Sequence, residues 1–282
     1  MYAWLLRTGD SIGQEYTCAI KASNGVYCHY GGRDTNMKIG IGFSVLNNFK
    51  GFAEAVHSIK SQHETQIIVA DQWRFNKPLS QAWNEMAMQA FKEGCDYAML
   101  CNDDILFSPG CIDAMVRVHQ ELNESESVVM VTPNNIMLEL ANPEDILSYE
   151  LAEDTPATWS EHPNFSCFLI ARDFFEKVGF FDENFIPAWF EDNDSHYRSK
   201  LLGYKEICTN AAPMVHYGGV ATSLMDNPYS QHSHDYFMKK WGSVTRLLDE
   251  TFKTPYNDPS LSPNQWRRAD GTIVDPLKEV QS

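Results

Sequence analysis

Two hydrophobic rhythms alternate along the first half of the chain. Lys38 to Leu46 is a short apolar run ending in Asn47-Asn48, the pattern of a buried strand and its turn. From Phe49 to Gln62 the apolar residues fall at 49, 52, 53, 55, 56 and 59, a helical spacing. Gln66 to Ala70 reads as a second strand, closed by Asp71, and Pro78 to Glu93 as a helix with proline near its first turn. Tyr97 to Cys101 is a third strand running into Asn102-Asp103-Asp104, and Pro109 to Leu122 a third helix. Strands alternating with helices predict an α/β fold, a mostly parallel sheet with helices on its faces. Ligands of such sheets sit beyond the carboxyl ends of the strands, where Asn47, Asp71 and Asn102 to Asp104 fall.

The second half is less regular. Val128 to Thr132 and Phe165 to Ile170 read as strands, Asp173 to Val178 as a short helix, and Asp192 to Leu202 as a helix opened by acidic residues. A short apolar stretch from Ala211 to Val215 precedes His216 and a Gly-Gly turn. From Trp241 onward the chain is rich in Pro, Asn, Asp and Ser, the composition of a tail that wraps the core or moves. The expected organisation is an N-terminal extension (1–37) packed on one domain (38–240) and a tail (241–282).

Composition narrows the function. Lys and Arg number 22 against 38 Asp and Glu, a net charge of −16, which disfavours general binding to a phosphate backbone. No apolar stretch reaches the roughly 18 residues of a membrane helix, and the first residues lack a basic, signal-like start. Seven cysteines without a CxxC pair read as reduced thiols in a cytoplasmic protein.

Three clusters carry candidate chemistry. Asn102-Asp103-Asp104 at a strand end has the oxygens to hold Mg²⁺ or Mn²⁺, although the same residues form ordinary turns. Glu191-Asp192-Asn193-Asp194 follows Trp189-Phe190 and opens a helix. Acids there complement the helix dipole, but three beside two aromatics exceed what a cap needs, and a carboxylate held there suits a general base. His216 follows a short strand and is placed to reach a metal with its imidazole.

Taken in order, these segments resemble the family-two glycosyltransferases of the GT-A fold, over roughly Lys38 to Trp241. Ile39 to Leu46 with Asn47-Asn48 is similar to the opening nucleotide-binding strand, and Asn76-KPLSQAW-Asn84 to the family's N-x-G-x-S-x-A-x-N segment. Tyr97-AMLCNDDILFSP-Gly110 resembles the strand bearing the DxD-type metal motif. Phe168-LIARDFFEKVGFFDEN-Phe185 followed by Glu191-Asp192-Asn193-Asp194 and Gly203-Tyr204 resembles the segment that ends in the "ED-x-D" base motif.

The resemblance implies a mixed, mostly parallel Rossmann-like sheet, with a nucleotide-sugar-binding half (38–117) and an acceptor-binding half (118–240). It implies a metal, Mn²⁺ or Mg²⁺, at Asp104 and His216, with Asn102 where the first Asp of the motif often stands. Asn47, Asp71, Asn76, Asn84, Asn102 and Asp103 would contact the nucleotide sugar, with Asp71 at the base. Asp192 would be the catalytic base and Glu191 would help place the acceptor. Pro78 replaces the usual Gly of the N-x-G segment, and Arg74 and Lys77 lie nearby as local positive charge.

The activity implied is inverting transfer of a sugar from a nucleoside-diphosphate sugar, UDP-linked by preference, to a hydroxyl. The alternative is a nucleotide- or sugar-binding protein on the same fold without turnover. Val118 to Ala171 has no Lys or Arg, while seven acids lie from Glu139 to Glu161 inclusive, which disfavours a phosphate-rich acceptor there. Trp189, Asp194 and His162 are candidates for acceptor contact. A glycan or protein hydroxyl is favoured, with a hydroxylated DNA base as the other acceptor and no integral membrane contact.

Overall fold

The structure, a computed structural model, describes residues 36–72, 77–152, 157–223 and 230–241, with short stretches at 20–21, 27–28, 265–267 and 272–274. Asn76 and Arg74 lie outside the described residues, as do nearly all of 1–37 and 241–282.

Two isolated strands, β1 (Ile20–Lys21) and β2 (Tyr27–Cys28), pair with each other. The main sheet holds β3 (Lys38–Val45), β4 (Glu64–Asp71), β5 (Tyr97–Asn102), β6 (Ile105–Phe107), β7 (Val128–Asn135), β8 (Trp159–Ser160), β9 (Cys167–Ala171) and β10 (Lys205–His216). Its order is β4-β3-β5-β9-β7-β10-β6, with β8 paired to β10. β3 runs parallel to β4 and β5, and β10 parallel to β7. β9 is inserted antiparallel between β5 and β7, and β6 and β8 run antiparallel to β10. This is the mixed, mostly parallel sheet expected.

Its flanking helices are α1 (Phe49–Ser58), α2 (Leu79–Lys92), α3 (Cys111–Glu126), α4 (Asp173–Lys177), α5 (Glu191–Leu201), α6 (Val220–Ser223) and α7 (Gln231–Trp241). Alternation along the strands feeds two cores, one on each face of the sheet. Ile39, Ile41, Phe43, Met99 and Cys101 pack with α1 and α3 on one side, while Ala98, Leu100, Phe168 and Ile170 pack with α2 on the other. Gly40 lets α2 come close, because a Cβ there would stand 2.3 Å from that of Ala90.

Boundaries differ from expectation where a side chain intervenes. The helix expected to run to Gln62 stops at Ser58, whose hydroxyl donates to Ala55 O and accepts from Phe107 N–H. Ile59 is then extended and the chain turns into β4. β10 begins at Lys205, well before the expected apolar stretch. Trp241, expected to open the tail, instead ends α7, is 2% exposed and donates its indole N–H to Asp194 Oδ1 at 2.8 Å.

Candidate active site

The carboxyl ends of β3, β4 and β5 set one edge of the sheet, and the turn after β5 ties them together. Asp103 is 2% exposed and accepts from Leu46 N–H at 3.0 Å, while the Asn48 amide donates to its carbonyl at 2.9 Å and its carboxylate at 3.3 Å. The Asn48 side-chain oxygen in turn accepts from Gly51 N–H, capping α1. Burial raises the Asp103 pKa, outweighing these hydrogen bonds. Asp103 thus braces the strand ends, and Asn47 beside it is exposed at φ 54°.

Asp104 points elsewhere. β6 follows it directly and pairs antiparallel with the end of β10, placing His216 opposite Ile105. His216 Nε2 therefore lies 3.1 Å from Asp104 Oδ1, and the Asn102 amide reaches the same Nε2 at 3.4 Å across 114 positions of sequence. Three residues expected to serve a metal are brought together. Two donor atoms about 3 Å apart fit neighbouring positions around an ion bound at about 2.1 Å. An amide placed by its hydrogen bonds presents either its nitrogen or its oxygen here. Carboxylate, imidazole and amide oxygen are donors that Mn²⁺ accepts. Among the described residues no group of three or more His, Cys, Asp or Glu is arranged to hold a metal. Asp104, His216 and Asn102 would therefore leave several positions to other oxygens, such as those of a diphosphate.

The base motif opens α5. Trp189 and Phe190 precede it with φ of 79° and 71°, conformations that cost bulky residues energy, and Trp189 is 43% exposed. Pro187 O just before them accepts from Leu79 N–H at the start of α2, which fixes this segment at the carboxyl edge. Glu191 is 5% exposed and its buried Oε2 has no hydrogen-bond partner. Burial, and then the charge of Asp192, push its carboxyl well above the ordinary range. Asp192 is half-buried, accepts from Asn193 N–H at 2.7 Å, and is raised chiefly by burial. Its affinity for a proton is therefore greater than that of a surface aspartate.

Three other expected contacts are held by the fold. Asn84 is buried, with its amide donating to Phe181 O and Glu183 Oε1 and its oxygen accepting from Phe181 N–H, so it staples α2 to the loop before α5. Asp194 is 0% exposed and accepts from Arg198 Nε at 2.9 Å, Trp241 Nε1 at 2.8 Å and Lys240 Nζ at 2.6 Å. Burial alone would raise its pKa, but Lys240 and Arg198 outweigh that and hold it below the ordinary value. Its geometry serves the packing of α7 on α5 and leaves no carboxylate surface for an acceptor. Lys77, read as local positive charge, is paired with Glu85 at 2.6 Å. Asp71 ends β4, half-buried, and His162 is exposed on the loop entering β9. Sequence reasoning passed over the buried pair of His196 and Glu206, whose Nδ1 and Oε2 lie 3.2 Å apart. The spacing of His196 four positions after Asp192 was the available signal.

No protein-family profile matches the chain. It is 24% identical over 154 residues to a galactofuranosyl glycosyltransferase of Leishmania donovani, a match covering 43% of this chain and 36% of that protein. The chain thus spans about a third of the length of this curated relative. Solved structures with which it overlaps include GalNAc-T7 with UDP, GalNAc and Mn²⁺, at 12% identity and TM-score 0.49, covering 76% of this chain and 50% of that one. Another is the catalytic domain of Drosophila β1,4-galactosyltransferase 7 with xylobiose, at 13% identity and TM-score 0.48, covering 71% and 78%. A third is the Pyrobaculum calidifontis mannosyltransferase PcManGT with GDP-Man and Mn²⁺, at 11% identity and TM-score 0.42, covering 65% and 57%. Over those 154 residues, the chain is similar in sequence to a glycosyltransferase.

Proposed function

We propose that this chain is a metal-dependent glycosyltransferase that moves a sugar from a nucleoside-diphosphate sugar, UDP-linked by preference, to the hydroxyl of a glycan, protein or other acceptor, with inversion. The observation that carries the proposal is the meeting of Asp104, His216 and Asn102 at the carboxyl edge of the sheet. These donor types suit Mn²⁺ or Mg²⁺, whose charge when bound would offset that developing on the departing diphosphate. A negatively charged protein thereby gains a means of binding a negatively charged donor.

Asp192 accepts the proton of the acceptor hydroxyl as its oxygen bonds to the anomeric carbon and the bond from that carbon to the diphosphate breaks. The proton stays on the carboxyl group and the electron pair leaves with the nucleoside diphosphate. A carboxylate raised above the usual aspartate range is better matched to this task than a surface one. Glu191, partner-less at Oε2, offers a buried polar atom beside it for placing the acceptor. Exposed Trp189, held by its strained backbone, presents a flat apolar face of the kind that covers a sugar ring. His162 and Asp71 remain candidates for acceptor and nucleobase contact, as does Asn47 for the donor.

Asp192→Asn tests the assignment. Release of nucleoside diphosphate from UDP-, GDP-, CDP- and dTDP-sugars should fall at least about 100-fold in the productive case. Binding of that donor should change less than about threefold, because the base acts on the acceptor. A variant that still transfers, or one that loses the donor, overturns the role.

A further inference from the structure

Beside Asp104 and His216 the chain forms a groove of about 450 Å³, within the range of small-molecule sites. Lys50, Ala53, Glu54 and His57 line it from α1, and their spacing puts them on one face of that helix. Glu144 and Leu147 line it from the 3-10 turn Pro143–Ser148, and Leu106 of β6 and Tyr217 complete the lining. The turn is preformed: Pro143 opens it and Asn142 N–H donates to Asp145 Oδ2 at 3.0 Å. Its Ile146 is buried with Leu106 and Val215, and Leu147 and Tyr217 pack against them. Leu106 lies two positions after Asp104 and Tyr217 one after His216, and Tyr217 N–H donates to Asp104 O at 3.0 Å. The groove therefore adjoins the strand-end site while using none of its side chains.

The lining discriminates between classes of ligand. Lys50 lies 3.5 Å from Glu54, and Glu144 adds a second carboxylate, so a phosphate or other anion meets net repulsion. Glu54, His57 and Glu144 do not make a metal site, since no group of three such residues among the described ones is arranged to hold an ion. A purely apolar ligand would strip water from these polar groups and return no hydrogen bond. What fits is a neutral molecule with an apolar face for Ala53, Leu106, Leu147 and the Tyr217 ring, and hydroxyls for the carboxylates, imidazole and ammonium. Burial, then the charges of Glu144 and Glu54, raise the Tyr217 pKa, so its phenol is a donor at neutral pH. A sugar ring divides its surface in this way, with apolar faces and a rim of hydroxyls.

We infer that the groove between α1 and the turn Pro143–Ser148 binds a neutral sugar residue of the acceptor, which is therefore an oligosaccharide chain. The inference rests on the transferase reading and specifies its acceptor. Calorimetric titration of the full chain, without donor or metal, tests it with chitotetraose, mannotetraose, maltotetraose and β1,4-galactotetraose, and with a sulfated heparin tetrasaccharide. At least one neutral chain should bind with a Kd of about 1 mM or tighter, and the sulfated one at least about tenfold more weakly. Ala53→Trp, at an exposed helical position, fills the groove and should weaken the neutral ligand at least about tenfold. Glu144→Trp, from the facing turn, is the second variant should Ala53→Trp not fold. No binding of any neutral chain at about 10 mM, equal affinity for the sulfated one, or unchanged affinity in the filled variant overturns the inference. The transferase reading fails separately. If Ala53→Trp loses the saccharide and the wild-type chain turns over no nucleotide sugar, the groove stands and that reading falls. If the variant transfers to the oligosaccharide with the wild-type acceptor KM, the reading stands and the groove falls.

Discussion

Glu191 and Asp192 are neighbours in sequence with different environments, and that difference has a measurable sign. Glu191 is buried with an unpartnered oxygen, and its carboxyl is raised well above the ordinary 4.5. The folded state therefore holds this proton where the unfolded chain has released it. Its contribution to stability is fully present below about pH 4.5 and is lost as pH rises through the folded value. Glu191→Gln should accordingly raise the melting temperature by a few degrees at pH 7.5, as about 1 kcal/mol does at this size, with no gain at pH 4. It should also lower transfer, the cost expected when a strained functional group is relieved. Melts of both proteins at the two pH values decide it, and an equal shift at each would mean that the carboxyl is solvated. Residue type announced this pair but not the direction in which other side chains point. Asn84, Asp103 and Asp194 stand in the ordered motifs as Asp104 does, yet they brace α2, the β5 turn and α7 from within. A polar residue at a motif position reads the same in sequence whether it faces a ligand or the chain.

Elements with a local rhythm were legible; those made by distant partners were not. β3, β4, β5, α2 and α5 lie within a few residues of their expected positions, because each carries its own period or, in α5, acidic residues in its first turn. The antiparallel β6 is three residues long and exists through its pairing with β10, more than 100 positions away, which no local pattern announces. α7 turns Phe237 and Trp241 inward on one face and is also held by Lys240, whose ammonium lies 2.6 Å from both Asp182 and Asp194 with a side chain 4% exposed. Tyr236 donates to Asp182 as well. Removing the cation leaves two buried carboxylates facing each other, so Lys240→Met should cost about 3–5 kcal/mol in urea unfolding. Part of that loss should be recovered in the Lys240→Met, Asp182→Asn double variant. A loss below about 1 kcal/mol would mean that the network is hydrated and α7 docks by its aromatic contacts alone.

For the whole molecule, the proposed function raises the question of how a chain of net charge −16 would bind an anionic donor. Long-range attraction cannot serve, because the field of the protein repels a diphosphate. The binding energy must come from a few close contacts, and the Asp104 and His216 donor pair supplies a place for a divalent cation at the strand ends. Donor binding should then depend on the metal. In a thermal-shift panel of UDP, GDP, CDP and dTDP, one nucleotide should raise the melting temperature with Mn²⁺ and leave it unchanged with EDTA. At 100 times its dissociation constant a ligand adds about 2.7 kcal/mol, about 5–10 °C for a domain of this size. Asp104→Ala should remove most of that shift while keeping the melting temperature of the free protein within a few degrees, since the carboxylate bonds little besides His216. A riser that persists in EDTA would place the nucleotide on protein groups alone and overturn the metal role. Four flat traces in Mn²⁺ at millimolar nucleotide would overturn the donor site itself, because a transferase must recognise the leaving group it releases.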